Sequence, residues 1–419
     1  MKNIMHWTHR LRLGFMLGLM VFILTVPGVV RAGDSFVLGM SAAFSGHSRG
    51  LGVELYRGSL AYFTHLNEMG GIDGKPVRLV TLDDGYQPDP AIKNTLSLIA
   101  RGDVLCLYGY VGTPTVTRIL PLLSGCTGSS KLLFFPFTGA QPQREAPYGQ
   151  YVFNLRASYR QEVRGLVDRF VSLGRKRVAV FYQVDAYGRS GWDSVRQALA
   201  AHGLTMVGEA TYRRGAGFDE SMSEQVGILM RSQPDVVISV GSYAACAALI
   251  RDARDAGLDV PIANLSFVGS ENMLVRLDRV GTARGRDYTR DLVNSQVVPS
   301  YEDLSLPAVR EYRQLMDAVN PAPPAVAEIG YLPFRYSFAG FEGYLDAKVM
   351  ARVLEKYAEA PEMGLAGAAQ SLKEVDLGID VPVRFGPGRH QGLDNVYYTT
   401  VENGAFVPVS EEQWEAWRK

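Results

Sequence analysis

The chain has 419 residues, 47% hydrophobic and 21% charged, with 43 Lys and Arg against 43 Asp and Glu. That is the composition of a folded globular protein with length for two or three domains. It excludes low-complexity and solenoid chains, and the missing basic excess argues against a nucleic-acid partner.

Residues 1–32 read as a secretory leader. Lys2, Arg10 and Arg12 precede the uncharged apolar run Leu13–Val26, and "VVRA" ends in a small-x-small pattern at Ala32. The run is short for a membrane span of roughly 20 residues, so cleavage after Ala32 is expected. No Cys stands at the cut to carry a lipid. The leader takes four bases and no acids with it, leaving 39 basic and 43 acidic residues and a net charge of −4. The mature chain is expected in the periplasm.

The mature chain alternates strands and helices. Residues 35–40 read as a strand, followed by a loop to about Gly50. A helix over 53–71 has Val53, Tyr56, Leu60 and Phe63 at three-four spacing and is stopped by Gly70-Gly71. Strand 76–84, helix 88–101, strand 104–110, helix 114–124 and strand 131–137 follow. The pattern restarts with helix 161–174, strand 177–183, helix 188–203, strand 205–212, helix 222–232, strand 235–241, helix 244–257 and strand 261–269. Continuous Val/Ile/Leu strands between helices mean parallel sheets covered on both faces. Two such runs, divided near residue 157, mean two doubly wound α/β lobes. After 290 come strand 291–300, a Pro-rich connection at 320–326, a long helix over 336–359 and an alternating tail with antiparallel character.

Cys106 and Cys126 flank one strand–helix unit, and an oxidising compartment permits a bridge between them. Cys246 is expected to be buried and free. No C-x-x-C, His/Cys cluster or phosphate-binding loop is present, so neither a metal nor a cofactor is expected.

Gly46-His47-Ser48-Arg49-Gly50 matches G-x-S-x-G, the pattern of a hydrolase nucleophile elbow. An elbow needs the Ser at a tight strand-to-helix turn and an earlier strand to supply oxyanion donors. Here the Ser falls in the middle of a loop after the first mature strand, and a secreted serine hydrolase is the least favoured reading. Open α/β sheets bind ligands beyond the carboxyl ends of their strands. Those ends offer Ser48 and Arg49 after the first strand, Tyr110 and Thr113 after the third, and Thr138, Gly139 and Ala140 after the fourth. Thr113-Pro114 reads as an N-cap followed by Pro in the first helical turn, a place where free N–H groups and the helix dipole favour a carboxylate. Tyr187 and Tyr243 stand at strand ends of the second lobe and read as the opposite wall of a cleft.

In order, "FSGHSRGLGVELYRGSLAYFTHLNEMGGIDGKPVRLVTLDD", "GTPTVT", "AYGRSG" and "IRDARDAGLDVPI" resemble segments of the type I periplasmic solute-binding proteins of ABC transporters, in the branch that binds leucine, isoleucine and valine. The resemblance covers the mature chain. It implies two lobes joined by three crossover strands near Leu155, Val298 and Gly392. The lobes would then be 33–156 with 299–392, and 157–298 with 393–419. It also implies no enzymatic activity and a monomer that closes on a small carboxylate-bearing solute. The partner would be an ABC permease in the inner membrane or, alternatively, a membrane signalling protein.

Thr113 matches the hydroxyl position that holds a ligand carboxylate, and Thr138 and Gly139 match the second ligand-touching loop. Ser266 stands where amino-acid binders place an acid for the ligand ammonium, with Glu271 nearby. A missing partner would cost an ammonium about 1.5–3 kcal/mol, which points to an organic or aromatic acid as an alternative to an amino acid.

Overall fold

The computed structural model describes residues 35–125 and 132–419. The expected leader and Cys126 lie outside the described residues. The chain opens with β1 (Phe36–Ala42), α1 (Arg49–Glu68), β2 (Val77–Asp83), α2 (Pro88–Ala100), β3 (Val104–Tyr108), α3 (Thr113–Gly125), β4 (Leu133–Phe134) and β5 (Val152–Phe153). These five strands form one parallel sheet in the order β2-β1-β3-β4-β5.

A second run follows: α4 (Tyr159–Ser172), β6 (Val178–Gln183), α5 (Ala186–Ala201), β7 (Gly208–Tyr212), α6 (Ser223–Arg231), β8 (Val236–Val240), α7 (Tyr243–Asp255), β9 (Ile262–Asn264), α8 (Ser270–Arg284) and β10 (Leu292–Gln296). The chain then adds α9 (Pro307–Val319), α10 (Phe338–Glu359), α11 (Gly364–Gln370), the hairpin β11 (Tyr397–Glu402) and β12 (Ala405–Pro408), and α12 (Glu411–Ala416). The second sheet runs β12-β11-β10-β9-β8-β6-β7, antiparallel only where β11 joins β10 and β12.

These are two doubly wound lobes, and the burial explains why. Every residue of β8, "VVISV", is buried, as a strand covered by helices on both faces must be. The chain crosses between the sheets after β5, after β10 and before β11. The first and third crossings run side by side: Asn154 N–H donates to the His390 carbonyl, Gly392 N–H to Asn154 and Leu393 N–H to Leu155.

α9 and α10 return to pack on α1. The approach of α1 and α10 is backbone to backbone. A Cβ on Gly58 would lie 1.8 Å from the Gly340 carbonyl oxygen, and one on Gly343 would lie 2.1 Å from that of Leu55. The Ser59 hydroxyl pins the pair by donating to the Gly343 carbonyl at 2.9 Å.

Several elements depart from the sequence reading. A short 3-10 turn at Gly46–Ser48 feeds straight into α1, which starts at Arg49, four residues before the expected Val53. β4 is only two residues long, because Phe135 takes a positive φ of 53° and the next residue, Pro136, has no N–H for the ladder. α8 and α9 were not anticipated. Cys106 is free among the described residues and wholly buried in β3, where burial pushes its thiol pKa up; the other half of the expected Cys106–Cys126 bridge lies outside those residues. Cys246 is buried and free, as expected. Among the described residues no helix is long and apolar enough to cross a membrane.

The contact between α1 and α10 makes a direct prediction. Gly58→Ala forces the helices apart and is expected to cost about 1–3 kcal/mol of stability, measured as a lowered denaturation midpoint. A midpoint equal to that of the parent would contradict the close approach.

Candidate functional site

Strand order reverses once in each sheet, between β1 and β3 in the first and between β6 and β8 in the second. Loops leaving such a reversal diverge to opposite faces and open a crevice at the strands' carboxyl ends. The two crevices face each other. Ser48, after β1, shares a 3.0 Å hydrogen bond with Ser242, after β8. The Gly50 N–H at the start of α1 donates to the Tyr243 hydroxyl at 3.1 Å. Gln183, ending β6, donates to the Tyr86 hydroxyl beyond β2 at 3.3 Å and accepts from Tyr212 at 3.1 Å.

The cleft is closed over aromatic rings. Phe267, in the turn after β9, has Tyr187 of its own lobe at 4.7 Å and Phe137 and Tyr86 of the other lobe at 5.6 and 5.7 Å. The void left beside Phe137, Ser266 and Glu342 measures about 10 Å³, room for one water at most.

Beside these rings sits a set of hydroxyls. Thr113, the first residue of α3, and Thr138, after β4, share a 2.7 Å hydrogen bond. Tyr159, opening α4, brings its hydroxyl next to both, yet that hydroxyl makes no well-formed hydrogen bond. Nor does the buried hydroxyl of Tyr187, whose ring lies 5.1 Å from that of Tyr159. Gly139 makes room for this arrangement. A Cβ there would lie 2.6 Å from the Tyr159 backbone nitrogen, and its carbonyl accepts the Tyr159 N–H at 2.7 Å. The site is therefore a dry cluster of hydroxyl donors at a helix N-terminus, where the dipole favours negative charge.

A profile of the family described as "Periplasmic binding protein" matches residues 35–405, nearly the whole described chain. The chain belongs to the periplasmic binding protein family.

Its relatives agree on architecture. An amino acid binding protein of Pseudomonas aeruginosa is 23% identical over 61% of this chain and 66% of its own length. The Leu/Ile/Val-binding protein homolog 3 of Brucella melitensis is 24% identical over 58% of this chain and 64% of its own. Both alignments span just under two thirds of those relatives. Among solved structures, a possible leucine/isoleucine/valine-binding protein from Rhodopirellula baltica superposes with a TM-score of 0.78 at 29% identity, covering 91% of this chain and 98% of that one. A branched-chain amino acid ABC transporter protein from Thermus thermophilus, with bound valine, superposes at 0.77 with 16% identity, covering 90% and 96%. The family and fold are those of substrate-binding proteins rather than enzymes.

The residues singled out in the sequence of this binding protein divide into three groups. Thr113, Thr138, Gly139, Tyr187 and Tyr243 come together in the cleft, with Ala140 beside Thr138, its N–H donating to the Thr138 hydroxyl. Tyr187, read from the sequence at a strand end, is helical. It lies in the first turn of α5, where the Asp185 carboxylate caps its N–H. Ser48 is buried in the mouth, and its hydroxyl partner among the described residues is Ser242. Arg49 is at the rim, paired with Glu328 at 3.1 Å. Tyr110 points elsewhere. It is wholly buried, with its hydroxyl 3.1 Å from Thr95 of α2, in the packing between α2, α3 and the sheet.

Ser266 is in the cleft, but its hydroxyl is spent. It accepts from Arg156 and donates to Glu162 at 3.0 Å, while its N–H donates to Glu162 at 2.8 Å. Arg156 comes from the first crossing and was missed in the sequence. Its guanidinium lies 4.4 Å over the Phe137 ring and 3.2 Å from Glu342. Burial opposes that charge, but Glu342 and the neighbouring acids outweigh it and hold the Arg156 pKa above its ordinary value. Tyr86, Tyr159 and Phe267 were missed too, since a single aromatic next to a turn reads equally well as core.

Glu271 does not face the hydroxyl set. Its carboxylate accepts the Phe338 N–H of α10 at 2.9 Å, and burial pushes its pKa up to about 7, against that hydrogen bond, from an ordinary 4.5. Below pH 4.5 both folded and unfolded chains hold the proton. Between 4.5 and 7 only the folded chain keeps it, so stability falls as pH rises through that window. Glu271→Gln keeps an acceptor for Phe338 and removes the proton. Between about pH 5 and pH 7 the variant is expected to lose about 2 kcal/mol less unfolding free energy than the parent. Asp84, also raised to about 7 by burial, is in both proteins and cancels. Parallel pH profiles in denaturant titrations would contradict this.

Proposed function

We propose that this binding protein captures a small carboxylate-bearing solute, an amino acid or an organic or aromatic acid, in the periplasm. It presents the closed complex to an ABC permease in the inner membrane. The observation that carries the reading is the Thr113–Thr138 hydroxyl pair at the head of α3, with the unsatisfied Tyr159 hydroxyl beside it. In this reading the two threonine hydroxyls let go of each other and turn to the ligand carboxylate, and Tyr159 adds a third donor from the opposite lobe. Closure then exchanges water for fixed donors around the anion, and no bond is made or broken. The side chains fill the closed cleft so fully that the solute must enter while the lobes are apart, so hinge opening is part of the binding step.

Within the carboxylate class we favour an acid without an ammonium group. The acids nearest the cleft are already engaged: Glu162 by Ser266 and by Ser295 at 2.6 Å, and Glu342 by Arg156. The relatives' names support the wider class, since their ligands include branched-chain amino acids.

A thermal-shift screen of amino acids against their deaminated acids tests both levels, because a ligand of the folded state raises the melting temperature. A deaminated acid is expected to give the larger shift. For the best hit, Thr113→Ala is expected to weaken binding about 10- to 100-fold, the size of a lost hydrogen bond to a charged group, with the unliganded melting temperature little changed. A hit that binds the Thr113→Ala protein as tightly as the parent would overturn the carboxylate seat. Amino acids as the strongest hits would overturn only the preference for an amine-free ligand.

A further inference from the structure

A groove lies away from the cleft, on the hinge side. It encloses about 690 Å³, within the range of small-molecule sites. One wall is the segment after the second crossing that leads into α9, together with the loop 379–381. That loop is tied to α9 by the Gly378 carbonyl, which accepts the Ala308 N–H at 3.0 Å. The other wall is Tyr397 of β11 and the strand β12, which belong to the sheet of the second lobe. An occupant would therefore touch both lobes.

The floor is apolar: Leu306, Ile379 and Phe406 line it and are themselves almost completely buried. The charge around it has one sign. Glu302, Asp303 and Asp380 line the groove, and no Lys, Arg or His does. Two of these carboxylates have work elsewhere. Glu302 pairs with Arg313 at 2.7 Å, and Asp303 accepts the Ser305 N–H and hydroxyl. Asp380 has no ion pair or hydrogen bond among the described residues. Its charge is felt inside the groove, where it adds to burial in raising the Tyr397 pKa.

We infer that this groove is a second binding site, for a small organic cation with an apolar body. Its ammonium sits between the free Asp380 carboxylate and the electron-rich face of Tyr397, and its hydrocarbon part lies on Ile379 and Phe406. One free anion on an apolar floor selects a monocation. A carboxylate would meet the unpaired Asp380 charge with no Lys, Arg or His on the groove wall to offset it, and an uncharged body would leave that charge unused. The inference does not rest on the ligand of the cleft.

The test uses phenethylammonium as the probe, titrated into the folded protein by calorimetry and followed by saturation-transfer NMR, with phenylacetate as the oppositely charged control. Binding is expected at concentrations below about 10 mM, weakened about tenfold or more by Asp380→Asn and by raising the salt to about 1 M. Val381→Lys, which places a cation at the groove wall, is expected to abolish it, and Thr113→Ala in the cleft to leave it unchanged. Asp380 is exposed, so Asp380→Asn leaves the core untouched; Val381 is half-buried at the edge of the core, so the Val381→Lys protein is compared only after its denaturation midpoint matches that of the parent. No binding by phenethylammonium, equal binding by phenylacetate, indifference to Asp380→Asn, or loss of binding in Thr113→Ala would each overturn the inference.

Discussion

The cleft depends on where the strand order reverses. Each lobe has one reversal, β1/β3 in the first and β6/β8 in the second, and each sends its loops out beyond the carboxyl ends of its strands. Three crossings hold the two reversals face to face, with the first and third crossings hydrogen-bonded side by side at Asn154, Leu155 and Gly392. In the proposed function this joint is the hinge about which the lobes part and close. The same loops that line the first lobe's crevice then meet those of the second.

What happens at that meeting is governed by the cost of burying polar groups. A hydroxyl with no partner away from water costs roughly 1–3 kcal/mol. Most polar groups in the closed cleft avoid this: Ser48 uses Ser242, Gly50 uses Tyr243, and Ser266 uses Arg156 and Glu162. Among the described residues the exceptions include the hydroxyl of Tyr159, which lies beside Thr113 and Thr138, the hydroxyl of Tyr187, and Nη1 of Arg156. In the proposed function the hydroxyls beside Thr113, at the positive end of α3, turn to the anion of the ligand. The close approach permitted by Gly139 brings Tyr159 of the second lobe into that place, so the seat is complete only when both lobes contribute.

The sequence made the plan of the fold legible because parallel strands buried on both faces leave a plain record: "VVISV" and "VAVFYQ" can hardly be anything else. α9 was also there to be read, with Val309, Tyr312, Leu315 and Met316 at helical spacing after an initiating proline. The loops around it break the strand–helix alternation, which hides it in the pattern. α8 was harder, since few of its positions are apolar and its buried face is polar at Ser270, Glu271 and Asn272. In the site, Thr113 and Thr138 were legible because strand ends and a Thr-Pro helix start are local features. Tyr110 was misread for the complementary reason: the sequence does not say which side of a strand end a ring turns to, and this one turns to Thr95. Arg156, Tyr159 and Phe267 owe their roles to contacts across the hinge, more than a hundred residues away in the case of Arg156 and Ser266, and no local pattern encodes these.

The central claim is that the ligand is held between lobes that part and close. Ser48 and Ser242, with hydroxyl oxygens 3.0 Å apart across the mouth, allow the most direct measurement. In a background with Cys126 replaced by Ser, Ser48→Cys and Ser242→Cys are introduced together. The rate of disulfide formation under mild oxidation is then followed with and without a saturating ligand. A bridge that forms, and forms faster with ligand bound, is the predicted result. A folded protein that never bridges, or bridges at one rate regardless of ligand, would contradict the account.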